Sequence, residues 1–173
     1  MDNDSSHTIE VTVEAEAWHT AVTDPEGLCR RVVAATLEEE AEAAAGLCGG
    51  RAAEVSVLLT GDATIRALNR DYRGKDAPTN VLSFPTEGDL PPGAEGPALL
   101  GDVAVAFETT RREAEAEGKP LHHHLTHLLV HGTLHLLGYD HEEEGEAEAM
   151  EAREVAILAR LGVPDPYRAE AAA

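Results

Sequence analysis

Three histidines in the last third of this 173-residue chain have the spacing of a metal site. His131 and His135 are four residues apart, so on a helix their rings project from one face on successive turns. Gly138 can end that helix in the left-handed conformation, and the returning chain then brings His141 to the same point. Three neutral imidazoles with an open fourth position are typical of catalytic zinc. We predict one zinc ion on these histidines; nickel or copper, or packed helical histidines without metal, are the alternatives.

The histidine spacing equals that of the metzincin motif H-E-x-x-H-x-x-G-x-x-H at every position but one. Gly132 stands where those peptidases carry the glutamate that acts as general base. Glycine cannot move a proton, so the pattern keeps the metal site and disfavours peptide hydrolysis. His127, one turn before the motif, and Asp140, inside it beside His141, are expected to orient the ligands rather than to bind the metal. Substrate contact is the alternative for His127, and a turn residue for Asp140. The run His122, His123 and His124 is expected to be solvated.

A basic segment precedes the histidines. Between residues 66 and 76 the chain carries two acids and four bases, a local charge of +2. Arginine forms bidentate contacts to phosphate, and amides at a helix terminus would add to them. We therefore predict a phosphate site that uses Arg70, Arg73 and Lys75; a solvated helix end is the alternative.

Three blocks of sequence together resemble the YbeY family of single-strand-specific metallo-endoribonucleases. The first reads N-x-x-Y-R-G-K-D-x-P-T-N-V-L-S-F-P and ends at Pro85. The second is L-G-D-V at 100–103, and the third is H-x-x-V-H-G-x-L-H-L-L-G-Y-D-H at 127–141. The blocks stand in the family's order, and the third is highly specific.

The resemblance implies that His131, His135 and His141 bind zinc and that Arg73 is the arginine needed for RNA cleavage. It further implies action in 3′-end maturation of small-subunit (16S) ribosomal RNA and in ribosome quality control. The implied partners are single-stranded RNA, the small ribosomal subunit and a GTPase of the Era type. A non-catalytic ribosome-assembly factor with structural zinc, or a metallopeptidase, are the alternative functions.

The elements that must position these residues alternate in type along the chain. Apolar and polar residues alternate over 9–13, as in a half-buried strand. Residues 23–26 follow the capping-box pattern of a helix start, and that helix is expected to continue to about residue 46. Long helices are predicted from Pro120 to Leu137 and from Glu142 to Leu161, and a loop between 86 and 97. The predicted order is β-α-β-α-β-β-α-α-α. This order indicates an α+β fold with a small mixed β-sheet packed with helices and a zincin-like metal-binding helix.

Length and composition favour one cytoplasmic domain over 1–173, with frayed ends at 1–7 and 165–173. The sequence contains no run of about 18 apolar residues, the length that a membrane-spanning helix needs. The two cysteines, Cys29 and Cys48, are expected to be buried thiols. With 13 basic and 33 acidic residues the net charge is −20, which argues against a general nucleic-acid coat protein. A GC-rich genome or a high-salt cytoplasm would account for the acidity.

Overall fold

A four-stranded mixed sheet carries the helices of this protein. The computed structural model describes residues 7–86, 95–140 and 143–167. In these residues the elements follow the order β1 (Thr8–Val13), α1 (Ala17–Ala21), α2 (Pro25–Glu39), α3 (Ala41–Leu47), β2 (Ala53–Thr60), α4 (Asp62–Arg73), β3 (Val81–Pro85), β4 (Ala98–Ala106), α5 (Phe107–Glu117), α6 (Leu121–Leu136) and α7 (Glu144–Arg160). The predicted α+β class with a mixed sheet is confirmed.

The strands lie in the order β1-β2-β4-β3, and only the edge strand β3 is antiparallel to its neighbour. Because successive side chains of a strand point to opposite faces of the sheet, β4 contributes residues to two hydrophobic cores. Val103 and Val105 belong to the main core with α2 and α6, whereas Ala104 and Ala106 face Ile65 of α4 on the opposite side. The sheet thus separates α4 from α6.

A bulge in β4 sets how closely α6 approaches the sheet. The register between β2 and β4 shifts by one residue before Gly101, whose φ is +150°. A Cβ there would lie 2.4 Å from the carbonyl oxygen of Phe84 and 2.8 Å from Cδ2 of Leu136. Glycine is therefore required where β3, β4 and the last turn of α6 meet.

The prediction of one helix from residue 23 to about 46 is wrong in two details. Asp24, not Thr23, caps α2, and its Oδ1 accepts a hydrogen bond from the Gly27 amide at 3.1 Å. The helix also breaks at Glu40, with φ −113° and ψ 41°, so that α2 and α3 are separate. The Glu40 carboxylate is buried and accepts hydrogen bonds from Tyr139 and Arg153, and such contacts with distant residues cannot be read from the local sequence.

The short helix α1 was not predicted from the sequence. The buried indole of Trp18 donates a hydrogen bond of 2.9 Å to the Thr60 carbonyl and so anchors α1 to the end of β2.

The chain ends differ from the expected fraying where the structure describes them. His7 accepts a hydrogen bond from the Ala53 amide at 3.0 Å, and the Tyr167 hydroxyl donates to the Glu154 carboxylate. Most of the predicted loop, 87–94, lies outside the described residues, as do Glu142 and the terminal segments 1–6 and 168–173.

Two further expectations concern burial and membranes. Both cysteines are buried as predicted, and burial raises the pKa of the Cys29 thiol to about 12. In the part of the chain that the structure describes, none of the helices has the length and hydropathy needed to cross a bilayer.

Candidate active site

The histidines lie at the C-terminal end of α6, the helix that packs on β3 and β4. Its buried leucines face the core, while His131 and His135 lie on the half-buried edge one turn apart. The helix ends at Leu136, and Gly138 follows with φ +102°, as predicted for the turn after the helix. His141, the third predicted ligand, lies outside the described residues.

Gly132 faces the sheet and not the solvent. A Cβ on Gly132 would lie 2.8 Å from Cγ1 of Val103 and 3.1 Å from Oγ of Ser83. The Ser83 hydroxyl also donates a hydrogen bond of 3.0 Å to the Gly132 carbonyl. A glutamate at position 132 would therefore displace the sheet, so the missing base of the metzincin motif has a packing reason.

The donor atoms of the two described histidines fit a shared metal ion. Nε2 of His135 lies 3.2 Å from Nε2 of His131. Two nitrogens that each bind one zinc ion at about 2.05 Å with tetrahedral angles lie roughly 3.3 Å apart. Among the described residues, which exclude His141, no group of three His, Cys, Asp or Glu side chains could hold a metal. The described residues therefore offer two nitrogen donors at this point, and His141, the predicted third ligand, lies outside the described ranges.

A buried carboxylate on α7 contacts the Nδ1 side of the His131 ring, opposite the Nε2 that faces His135. Oε2 of Glu154 lies 2.6 Å from Nδ1 of His131, and Oε1 lies 3.0 Å from Nε2 of His127. Burial raises the pKa of Glu154, but hydrogen bonds from His127, His131 and Tyr167 outweigh burial and lower the pKa to about 2. Sequence analysis missed Glu154, although it follows Met150 by four residues on the buried side of α7.

Arg73 and the histidines share one cleft of about 600 Å³. Arg73 is the last residue of α4, and its exposed side chain reaches the cleft around the edge strand β3. The described lining consists of Arg73, Thr79, Asn80, Val81, Ser83, Pro85, His131, His135, Gly138, Tyr139 and Asp140. The structure thus brings together Arg73, Asp140 and two of the three predicted metal ligands.

The other predicted phosphate-binding residues do not line the cleft. Arg70 forms an ion pair of 3.0 Å with Asp71, and Arg66 forms one of 2.7 Å with Asp76. The described residues offer no acidic partner to Arg73 or Lys75, so these two carry the local +2. The expected help from helix amides is absent, because α4 presents its C-terminal carbonyls here.

Two asparagines position the segment between α4 and β3. Nδ2 of the buried Asn69 donates to the Ala77 carbonyl at 2.9 Å. Asn80 donates to Glu113 at 3.0 Å, and its carbonyl accepts from the Ala106 amide at 2.9 Å. Both belong to the N-x-x-Y-R…T-N block, and an asparagine inside an apolar helix face was the available signal for Asn69.

The run of three histidines differs from the expected solvation at two positions, since His123 is half-buried and His124 is buried. His122 is exposed, but His124 is buried, and its Nε2 lies 2.8 Å from Oε1 of Glu113. Burial lowers the pKa of His124, because desolvation disfavours the charged imidazole. His127 contacts Glu154, the carboxylate that also contacts His131, and its role in orienting the ligands stays a prediction.

A second buried carboxylate holds the turn after α6. Glu40 accepts hydrogen bonds from the Tyr139 hydroxyl at 2.8 Å and from Nε of Arg153 at 2.6 Å. Tyr139 and Asp140 lie in the cleft wall immediately before His141. The break between α2 and α3 therefore places a carboxylate that fixes this turn.

The fold and cleft define an α+β protein that presents paired imidazoles beside an arginine. The family model described as "Endoribonuclease YbeY" matches residues 11–162. The chain belongs to the YbeY family, and the resemblance inferred from three motifs is confirmed.

Curated relatives named "Endoribonuclease YbeY" are similar over nearly the whole chain. One from Rhodopseudomonas palustris (strain BisB18) is 52% identical over 161 residues, covering 91% of this chain and 90% of the relative. One from Bradyrhizobium diazoefficiens is 53% identical, with coverages of 91% and 84%. One from Paramagnetospirillum magneticum is 49% identical, with coverages of 92% and 96%. A solution structure from Thermotoga maritima matches with a TM-score of 0.49 and 20% identity, covering 89% of this chain and 91% of that one.

Proposed function

We propose that this protein is a metal-dependent endoribonuclease that cleaves single-stranded RNA. The observation that carries the proposal is the shared cleft, in which Arg73 of α4 and the histidine pair of α6 meet around the edge strand β3. Membership of a family whose described activity is endoribonuclease supports it.

His131, His135 and His141 would hold one zinc ion. Bound there, zinc supplies a Lewis acid beside the phosphate. Arg73 binds the phosphate through its guanidinium and stabilises charge that develops on the phosphate oxygens. Asp140 orients the turn that carries His141. No glutamate at position 132 takes up the proton of the attacking group, whether that group is water or the RNA's own 2′-hydroxyl, so another histidine would have to accept it.

The proposed biological setting follows the family resemblance. We place this chain, as a single domain, in 3′-end maturation of small-subunit ribosomal RNA and in ribosome quality control in the cytoplasm. The small subunit and an Era-type GTPase are its proposed partners. The net charge of −20 supports delivery by such a partner over capture of RNA by a broad basic surface.

Cleavage of a single-stranded ribosomal RNA fragment tests the proposal. Zinc-loaded wild type is compared with His135→Ala over a salt series, with His122→Ala as the matched control on the exposed face of the same helix. We expect wild type and His122→Ala to cut the single strand and spare a duplex, and His135→Ala to lose activity. A 2′,3′-cyclic phosphate end would show that the RNA's 2′-hydroxyl is the nucleophile. An optimum at high salt would link the acidity to a saline cytoplasm.

Two outcomes would replace this proposal. Zinc-loaded protein that cuts no RNA at any salt but binds the small subunit tightly would be an assembly factor with structural zinc. Chelator-sensitive turnover of casein would indicate a peptidase, which the packing of Gly132 on Val103 disfavours.

A further inference from the structure

Glu154 is a buried acid among the apolar residues of α7. Its side chain is 1% exposed, and its helix neighbours Met150, Ile157 and Leu158 are core residues. Charged residues are almost never fully buried unless they are paired. In the described ranges the partners of Glu154 are His127, His131 and Tyr167, and no lysine or arginine is among them.

These contacts determine which nitrogen of His131 carries its proton. An ionised carboxylate only accepts hydrogen bonds. His131 must therefore donate from Nδ1, the atom 2.6 Å from Oε2 of Glu154. In a neutral ring the lone pair is then on Nε2, which lies 3.2 Å from Nε2 of His135 in the cleft.

The other carboxylate oxygen is held by two further residues. His127 donates from Nε2 at 3.0 Å, and the Tyr167 hydroxyl donates to the same oxygen. The ring of Tyr167 also packs edge-on against His127, with centroids 5.6 Å apart. Tyr167 follows α7 and lies beyond the family match at 11–162.

We propose that Glu154 is a positioning residue that fixes Nε2 of His131 as the metal-binding atom, with His127 and Tyr167 holding its carboxylate in place. The inference deepens the proposed function, since it requires His131 to bind a metal. The buried Glu154 carboxylate has hydrogen-bond donors but no lysine or arginine partner in the described ranges. A divalent cation bound at Nε2 of His131 would balance this negative charge across the imidazole ring. Charge on Glu154 then raises the basicity of His131 toward that cation.

Zinc affinity, measured by competition with a chromogenic chelator, tests this role without RNA. We expect Glu154→Gln to weaken zinc binding about 10- to 100-fold, because the uncharged amide loses the charge and offers a donor to His127. Tyr167→Phe should weaken it less. The matched control is Glu148→Gln, which removes an exposed carboxylate from the same helix and should bind as wild type.

A second readout needs no variant. Long-range ¹H–¹⁵N NMR of the zinc-free wild type should show His131 protonated at Nδ1, with its lone pair on Nε2; the zinc affinity of Glu154→Gln is the readout that a merely structural carboxylate would leave unchanged. Unchanged zinc affinity in Glu154→Gln, or a proton on Nε2 of His131, would overturn the proposal, as would wild type that binds no zinc. Zinc binding that depends on Glu154 without RNA cleavage would leave this inference standing and refute the proposed function.

Discussion

The cleft has two halves that are built in different ways: a proposed metal half at His131 and His135, and a proposed phosphate half at Arg73. In the metal half, the His131 side chain is 25% exposed and rests on a carboxylate that is 1% exposed. A second buried carboxylate, Glu40, holds the turn after α6. In the phosphate half, Arg73 lies on the exposed end of α4, and its charged neighbours form exposed ion pairs.

This difference separates what each half contributes. Removing a partner from a buried carboxylate leaves its charge uncompensated, so we expect the metal half to be ordered before substrate arrives. Exposed ion pairs contribute little to stability and are screened by salt. Changes in the metal half should therefore alter stability and metal affinity, whereas changes in the phosphate half should alter only RNA cleavage.

Gly132→Glu is the strongest test of the packing that places the histidines. The added side chain meets Val103 and Ser83 and buries a charge, so we expect the free energy of unfolding to fall by about 4 kcal/mol or more. Chemical denaturation measures the loss. The variant restores the metzincin glutamate in sequence, yet it should not turn over casein.

Gly132→Ala is the graded control for this test. It adds only the Cβ that would lie 2.8 Å from Val103 Cγ1, and we expect a loss of about 1–3 kcal/mol. Stable Gly132→Glu protein with peptidase activity would contradict the placement of this face against the sheet.

Arg73→Ala tests the phosphate half. Removing the guanidinium should reduce RNA cleavage about 10²- to 10³-fold, because charge that develops on the phosphate loses its stabilising donor. Zinc affinity and the free energy of unfolding should stay at wild-type values, since Arg73 is exposed. Single-turnover cleavage with saturating protein measures the effect.

Arg66→Ala is the matched control, because Arg66 lies on the same helix but pairs with Asp76 outside the cleft wall. It should retain cleavage within a few-fold. Equal losses in the two variants would show that general basic charge, and not the position of Arg73, supports cleavage.

The features that the sequence predicted correctly are local to a single helix or strand. The i, i+4 spacing of His131 and His135 and the glycine after them are local features, and α6 forms as expected with its histidines on one face. The alternation of residues 9–13 likewise predicted a strand, and β1 covers Thr8–Val13. Local periodicity was sufficient wherever one element alone determined the result.

Contacts between distant elements were not predictable in this way. Glu154 and Glu40 act on residues of α6 and the turn after it only because α7 and α2 pack there. Glu154 did carry a signal, a charge on the apolar stripe of α7, but its partner is defined by tertiary packing. The meeting of Arg73 with the histidines depends on the order of β4 and β3 in the sheet.

Asp76→Asn should have the smallest effect and sharpens the description of the phosphate half. The hydrogen bond from Arg66 holds the pKa of the Asp76 carboxyl below its ordinary value. A lowered pKa means that any stabilisation is present above the unfolded-state pKa of about 3.9 and is lost as pH falls through the folded-state value. Because both side chains are exposed, we expect no shift in melting temperature at pH 7 beyond experimental error.

The variant also frees Arg66 and raises the local charge by one unit. Cleavage at low salt should therefore rise slightly, and the gain should vanish as salt shortens the Debye length to about 3 Å at 1 M. A gain that persists at high salt would place Arg66 in direct contact with RNA. A clear fall in melting temperature at pH 7 that disappears once the pH is below the folded-state pKa of Asp76 would instead show that the exposed pair stabilises the fold, and the contrast between the two halves would then be lost.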